Sequence, residues 1–171
     1  DENGNLVSST DRNGHTTTYI YDAENRLTSV TDAEGNVTTY TYDKLGQVTK
    51  TVSPAGNETG ASYDSMGRTT SSTNARGFAT QYEYDALGRV TTMTSPDGTS
   101  ISYTYDANGQ MLTTTDELGN VTGYTYDANG RMTSMTDVMG GVTKSSYDKV
   151  GNLVSTTDPM GHTTRYAYNA N

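Results

Sequence analysis

The chain has 171 residues, a formal net charge of −9 and no cysteine, and hydrophobic residues supply only 31% of it. The lack of cysteine excludes a disulfide framework and a thiolate metal site, and 11 basic residues scattered among 20 acidic ones disfavour nucleic acid as a partner. No apolar run approaches the roughly 20 residues of a transmembrane helix, so no membrane span is predicted. Composition alone leaves disorder open, and the order of the residues has to decide.

A repeat of 21 residues runs through the whole chain without an insertion. We predict a single array of eight copies, at 1–20, 21–41, 42–62, 63–83, 84–104, 105–125, 126–146 and 147–167, followed by the start of a ninth at 168–171. Three columns of residues define the repeat. They are Tyr21, Tyr42, Tyr63, Tyr84, Tyr105, Tyr126, Tyr147 and Tyr168, then Asp22, Asp43, Asp64, Asp85, Asp106, Asp127 and Asp148, and then Gly14, Gly35, Gly56, Gly77, Gly98, Gly119, Gly140 and Gly161.

Each copy carries two turn signals of the form Asp-x-x-Gly, about half a period apart. Asn25 replaces glycine in one of them, and Asn is the residue that best tolerates a positive φ in glycine's place. Pro54, Pro96 and Pro159 all fall at the second turn position, where a φ near −65° is favoured. We therefore predict type I turns, each closed by a left-handed residue that forms a G1-type bulge.

The segments between turns, beginning with 26–31 and 36–42, are rich in Thr, Val and Tyr and have the length of ordinary strands. The predicted fold is all-β, an array of antiparallel hairpins that coils into a spiral, solenoid or hollow shell wall, because about sixteen strands exceed what an open twisted sheet tolerates. Tyrosines and aliphatic residues should share one face, with Tyr21 opposite Leu27 across the hairpin. Because 21 is odd, each repeat should also contain a β-bulge or a turn of different size.

The runs at 84–91 (YDALGRVT) and 126–133 (YDANGRMT) resemble the YD-repeat, or RHS, family, and the resemblance covers the whole chain. The family includes bacterial RHS polymorphic toxins, the BC shell of insecticidal toxin complexes, wall-associated proteins and teneurins. The resemblance implies hairpins that spiral into a hollow shell, which in the toxins encloses a C-terminal effector. The family's autoproteolytic core and effector are not seen in this sequence. Residues 158–161 (DPMG) are similar to a motif of that core but occupy an ordinary turn position, so no catalytic residue is carried over.

The sequence offers no candidate catalytic, cofactor or metal residue. His15 and His162 follow a turn glycine and have no partners in the pattern that would support a metal or a general base. The acidic turns lack the ligand spacing of an EF-hand and of calcium-binding β-rolls, and turn chemistry accounts for them. The recurring arginines suggest packing or pairing with turn aspartates; they are Arg26, Arg68, Arg89 and Arg131. We expect no enzyme.

The resulting functional hypothesis is a non-catalytic scaffold, the wall of a large secreted or surface bacterial protein that encapsulates a toxin. Two alternatives remain open. The first is a self-assembling extracellular filament or tube, favoured by the uninterrupted register and by ends that are ordinary repeats. The second is a carbohydrate-binding or adhesion surface, since tyrosine stripes can stack on glycans. Expected partners are further copies of the repeat, an enclosed toxin domain or cell-surface glycans.

Overall fold

In the computed structural model, residues 1–169 are described, and all of their regular structure is β-strand. The strand order in the sheet follows the order of the chain, and every described pairing is antiparallel, so the predicted all-β hairpin array is confirmed. The strands are β1 (Ser8–Thr10), β2 (Thr16–Tyr21), β3 (Leu27–Thr31), β4 (Val37–Tyr42), β5 (Val48–Val52), β6 (Glu58–Tyr63), β7 (Thr69–Thr73), β8 (Ala79–Tyr84), β9 (Val90–Thr94), β10 (Ser100–Tyr105), β11 (Met111–Thr115), β12 (Val121–Tyr126), β13 (Met132–Thr136), β14 (Val142–Tyr147), β15 (Leu153–Thr157) and β16 (Thr163–Arg165).

The chain divides into two compact units. The first contains Asp1–Glu83 and Ser95–Asp97, and the second contains Tyr84–Thr94 and the residues from Gly98 onward. Within each unit, every strand pairs with its neighbours in sequence, as β2 does with β3 and β12 with β13. Of the predicted ninth copy, residues 170 and 171 lie outside the described part of the chain.

The turns have the predicted geometry. The eight glycines of the repeat column have φ between 76° and 88°, and Asn25 has a φ of 62°. In the turn after β12, the N–H of Gly130 donates to the Asp127 carbonyl at 3.0 Å, and the N–H of Asp127 donates to the Arg131 carbonyl at 2.9 Å. This pair of bonds is the signature of a type I turn followed by a bulge.

The extra residue of the odd repeat is absorbed by a β-bulge, as predicted. Between β2 and β3, Ile20 is paired with Ser29 but Tyr21 is paired with Leu27, so Thr28 has no residue opposite. The Thr28 hydroxyl donates to the Ile20 carbonyl at 3.2 Å. The same shift recurs before Tyr42, Tyr63, Tyr105, Tyr126 and Tyr147. The bulge returns each tyrosine to the same face in the next copy.

The two faces differ in chemistry. One carries the tyrosines, with Tyr19 opposite Val30 and Tyr124 opposite Met135. The other is mostly Thr and Ser, and it also holds an ion pair in which Lys50 Nζ lies 2.5 Å from a Glu58 carboxylate oxygen.

No described residue is fully buried, and the strand tyrosines of the first face are half-buried. The sheet therefore depends on backbone ladders, turns and cross-strand contacts, since a closed apolar core is not found among the described residues. These residues also contain no helix long and apolar enough to cross a membrane.

Each unit has turns at both edges of its sheet. The turns that follow the column tyrosines, such as 43–46, lie at one edge, here called the YD edge. The alternate turns, such as 116–119, lie at the opposite edge, here called the far edge. A meander places successive turns at opposite edges, so side chains of equivalent turns form rows along an edge.

Candidate functional site

The most ordered chemistry of the chain is the ladder of turns along the YD edge, and its unit is an aspartate at the first turn position. Asp64 Oδ1 accepts the N–H groups of Met66 at 2.9 Å and Arg68 at 3.0 Å. These are donors that the turn leaves without a backbone partner. The backbone N–H of Arg68 lowers the pKa of Asp64, and burial opposes this. The turn aspartate therefore accepts these hydrogen bonds as a charged carboxylate.

Arginines of the ladder link one repeat to the next. The Arg131 Nε donates to Asp127 Oδ2 at 2.7 Å, and one terminal nitrogen of the guanidinium donates to the Asp148 carbonyl, one repeat later, at 2.9 Å. The guanidinium carbon also lies 4.8 Å from the centre of the Tyr147 ring, a cation–π geometry. Arg26 and Arg89 make the same three contacts with their own turns and the following repeat.

Neutral side chains at the arginine position also bond to the aspartate of their own turn. Gln47 Nε2 donates to Asp43 Oδ2 at 3.0 Å, and Asn152 Nδ2 donates to Asp148 Oδ2 at 2.9 Å. The predicted pairing of the arginines with turn aspartates is therefore observed, and the amides replace them as local partners. The longer, branched guanidinium also donates to the backbone carbonyl of the turn in the next repeat.

Column tyrosines supply a second link between repeats. The Tyr42 hydroxyl donates to the Leu27 carbonyl at 2.6 Å. The described pairing of β3 with β4 begins at Ser29, two residues after Leu27. The Leu27 carbonyl therefore needs a hydrogen-bond donor other than the backbone of β4. The same bond, to the carbonyl 15 residues earlier, is made by Tyr21, Tyr63, Tyr105, Tyr147 and Tyr168.

Sequence reasoning paired the tyrosines with aliphatic residues but missed both of these links. The predicted cross-strand pairs are present, as Tyr42 with Val48 and Tyr105 with Met111. The missed signal was spacing. Arg26 precedes Tyr42 by 16 residues, Arg89 precedes Tyr105 by the same distance, and a hairpin meander brings residues so spaced side by side.

The two histidines occupy, at the far edge, the position that arginine or glutamine occupies at the YD edge. His15 Nδ1 lies 3.1 Å from Asp11 Oδ2, and His162 Nδ1 lies 2.9 Å from Asp158 Oδ2, with both imidazoles largely exposed. Within residues 1–169, no group of three or more His, Asp or Glu side chains could hold a metal ion. That the repeat positions serve the scaffold alone stays a prediction.

Known protein families contain a repeat of this kind. The RHS repeat model matches residues 1–37, 21–58, 63–100, 91–117, 105–142 and 147–171. No curated protein matches the chain.

Similar folds occur in solved toxin complexes. One is the Tc holotoxin pore of Photorhabdus luminescens with a TccC3 mutation, which is 20% identical over 91% of this chain with a TM-score of 0.64. Another is the crystal structure of TcdB2–TccC3–Cdc42, which is 19% identical over 88% of this chain with a TM-score of 0.65. The chain spans about a tenth of the length of these solved chains. Because the repeat model matches nearly every residue, the chain belongs to the RHS repeat family.

Proposed function

We propose that the chain is a non-catalytic wall segment of a secreted or surface-exposed bacterial RHS protein, and that the wall encloses a toxin domain. The observation that carries the proposal is the link between successive turns, in which a turn Asp, its Arg and the Tyr of the next repeat are joined. Arg131 joins the turns of Asp127 and Asp148, and Tyr147 returns a bond to the preceding repeat. Contacts of this kind hold each repeat in place against the next, and an extended wall requires such contacts between neighbours.

The similarity to Tc toxin chains supports the fold of a shell, and the family resemblance supports an enclosed effector and an extracellular location. The sheet suits this role because it depends on neighbours and has no closed core of its own among the described residues. A wall of this kind separates a cargo from solvent and does not take part in the reaction that the cargo catalyses. The autonomous unit is the array, and the individual hairpin is too small to stand alone.

The contacts of the tyrosines disfavour a glycan-binding surface. Sugar stacking needs an open aromatic face, and the guanidinium groups of Arg26 and Arg89 lie over the rings of Tyr42 and Tyr105. The hydroxyls of both tyrosines are also committed to backbone carbonyls. The stripe is therefore better suited to joining repeats than to holding a ligand.

A protease-protection experiment on the longest natural polypeptide that carries these repeats tests the proposal. A segment downstream of the repeats should resist trypsin while the wall is intact and become sensitive at urea concentrations that unfold the repeats. In a matched control, the same segment is first cleaved from the repeats, and trypsin should then digest it at once. Equal sensitivity of the attached and the detached segment in buffer would reject an enclosing role.

A further inference from the structure

The far edge of the second unit carries a row of exposed apolar side chains at the third turn position. Leu118, Met139 and Met160 occupy that position in three consecutive repeats and are 87%, 90% and 82% exposed. Turn closure does not explain them, because the same position holds Asn13 and Glu34 in turns of the same geometry. Strands spaced about 4.8 Å apart place members of such a row about 10 Å from each other.

A second row lies at the YD edge of the first unit. Leu45 and Met66 hold the third position of consecutive turns at the YD edge and are 70% and 74% exposed. Because strand spacing sets the period of both rows, a residue of one row can meet a residue of the other in every repeat.

We propose that the far edge of one copy, through Leu118 and Met139, docks side by side on the YD edge of a second copy, through Leu45 and Met66. A contact between two different rows of the same period is head-to-tail, because each copy carries both halves. The contact covers both apolar rows, whereas pairing either row with itself would need two separate interfaces. This inference does not rest on the enclosed cargo, since lateral contacts between copies serve a shell and a filament equally.

Charge fixes the direction of the two rows. Lys44 immediately precedes Leu45, and Glu117 immediately precedes Leu118, and both charged side chains are exposed. With the copies running in the same direction, Leu45 meets Leu118, Met66 meets Met139, and Lys44 comes to lie beside Glu117. With the copies running in opposite directions, Lys44 and Glu117 are separated by at least one whole repeat. Charge pairs of this kind select register and orientation more than they add affinity.

The same charges favour a protein partner over a lipid surface. The far-edge row is flanked by Glu117 and by the first-position aspartates Asp116, Asp137 and Asp158, and the whole chain carries a net charge of −9. Anionic leaflets repel such an edge, and surface-binding segments are typically rich in Lys and Arg. An edge with both apolar and acidic groups matches one with apolar groups and a lysine.

A charge-swap experiment on the 171-residue chain tests the pairing. In sedimentation velocity over a concentration series, Lys44→Glu and Glu117→Lys should each weaken self-association, because each places like charges in contact. A mixture of the two variants should form pairs again, since the glutamate introduced at position 44 of one copy then meets the lysine introduced at position 117 of the other. The double variant should recover self-association for the same reason. A chain that stays monomeric, or variants that associate as the parent does whether alone or mixed, would overturn the proposal.

The apolar row gives a second test. Leu118→Asp should raise the dissociation constant about tenfold or more, because it places an unpaired charge against Leu45. Ala55→Asp, at the same turn position of the same edge in the first unit, is the matched control and should leave association unchanged. Equal effects of the two variants would count against the row. Loss of binding to phosphatidylcholine vesicles in Leu118→Asp, with self-association intact, would assign the row to lipid and overturn the proposal.

Cross-linking defines the register, because the chain has no cysteine. The variant with Leu45→Cys and Leu118→Cys should form disulfide-linked oligomers under mild oxidation, while Leu45→Cys with Ala55→Cys should not. Efficient cross-linking of Met139→Cys to itself would show that each far edge pairs with an identical far edge. That result would overturn the head-to-tail arrangement.

Discussion

Two glycines four residues apart provide a direct test of the turn model. Gly119 closes a far-edge turn with a φ of +82°, whereas Gly123 lies inside β12 outside the positive-φ region. A Cβ built on Gly119 meets no atom within 4 Å, and one on Gly123 meets only ordinary contacts at 3.9 Å to Thr136 and 4.0 Å to Leu112. The sign of φ, not steric crowding, therefore separates the two sites.

The expected effects of alanine have opposite signs. Gly119→Ala should reduce the free energy of unfolding by about 1–2 kcal/mol, the cost of holding an L-residue in the left-handed region. Gly123→Ala should increase it by about 0.5–1 kcal/mol, because alanine loses less backbone entropy than glycine in a strand. Gly119→Asn should recover most of the loss, as Asn25 shows that asparagine fits this conformation natively.

Urea denaturation followed by far-ultraviolet circular dichroism measures these differences as shifts in the midpoint at a constant slope. The three variants should rank in the order Gly119→Ala, Gly119→Asn, Gly123→Ala from least to most stable. Equal midpoints for Gly119→Ala and Gly123→Ala would contradict a left-handed conformation at Gly119, since only the backbone conformation distinguishes the two sites.

Three further predictions address the ladder of turns. Arg131→Met should lower the urea midpoint more than Arg131→Gln, because glutamine retains the contact to the turn aspartate as Gln47 does; equal losses would show that this contact contributes nothing. Tyr42→Phe should cost about 0.5–1.5 kcal/mol in urea denaturation, the usual net value of one hydrogen bond, and Tyr40→Phe on the same strand is the matched comparison. The side chain of Arg131 donates to Asp127 and lowers the pKa of that carboxyl, and the backbone N–H of Arg131 lowers it further. The stabilisation from Asp127 is therefore complete above the ordinary carboxyl pKa near 4 and is lost as the pH falls through the lower pKa of the folded state. A urea midpoint that stayed constant from pH 7 to pH 2 would contradict this.

Local features of the fold followed from the sequence because the repeat samples each position eight times. Asn25 in a glycine column indicated a positive φ, and the odd period of 21 required a bulge that the structure places before the column tyrosines. Both inferences depend on backbone geometry alone. A single copy would have left either one indistinguishable from chance.

Contacts between repeats were harder to predict because they depend on how far side chains reach. The guanidinium of Arg26 satisfies its own Asp22 and still reaches the Asp43 carbonyl, and turn chemistry alone accounts only for the first contact. The exposed row of Leu118 and Met139 was also missed. Turn positions are usually read for their backbone preferences, and the side chain at the third position is free to vary.

Electron cryo-microscopy of the longest natural polypeptide that carries these repeats distinguishes an enclosing wall from an open array. We expect a hollow particle whose wall contains residues 1–169 as hairpin sheet, with separate density for a domain inside. An open filament, or an extended array with its downstream domain outside the sheet, would contradict it.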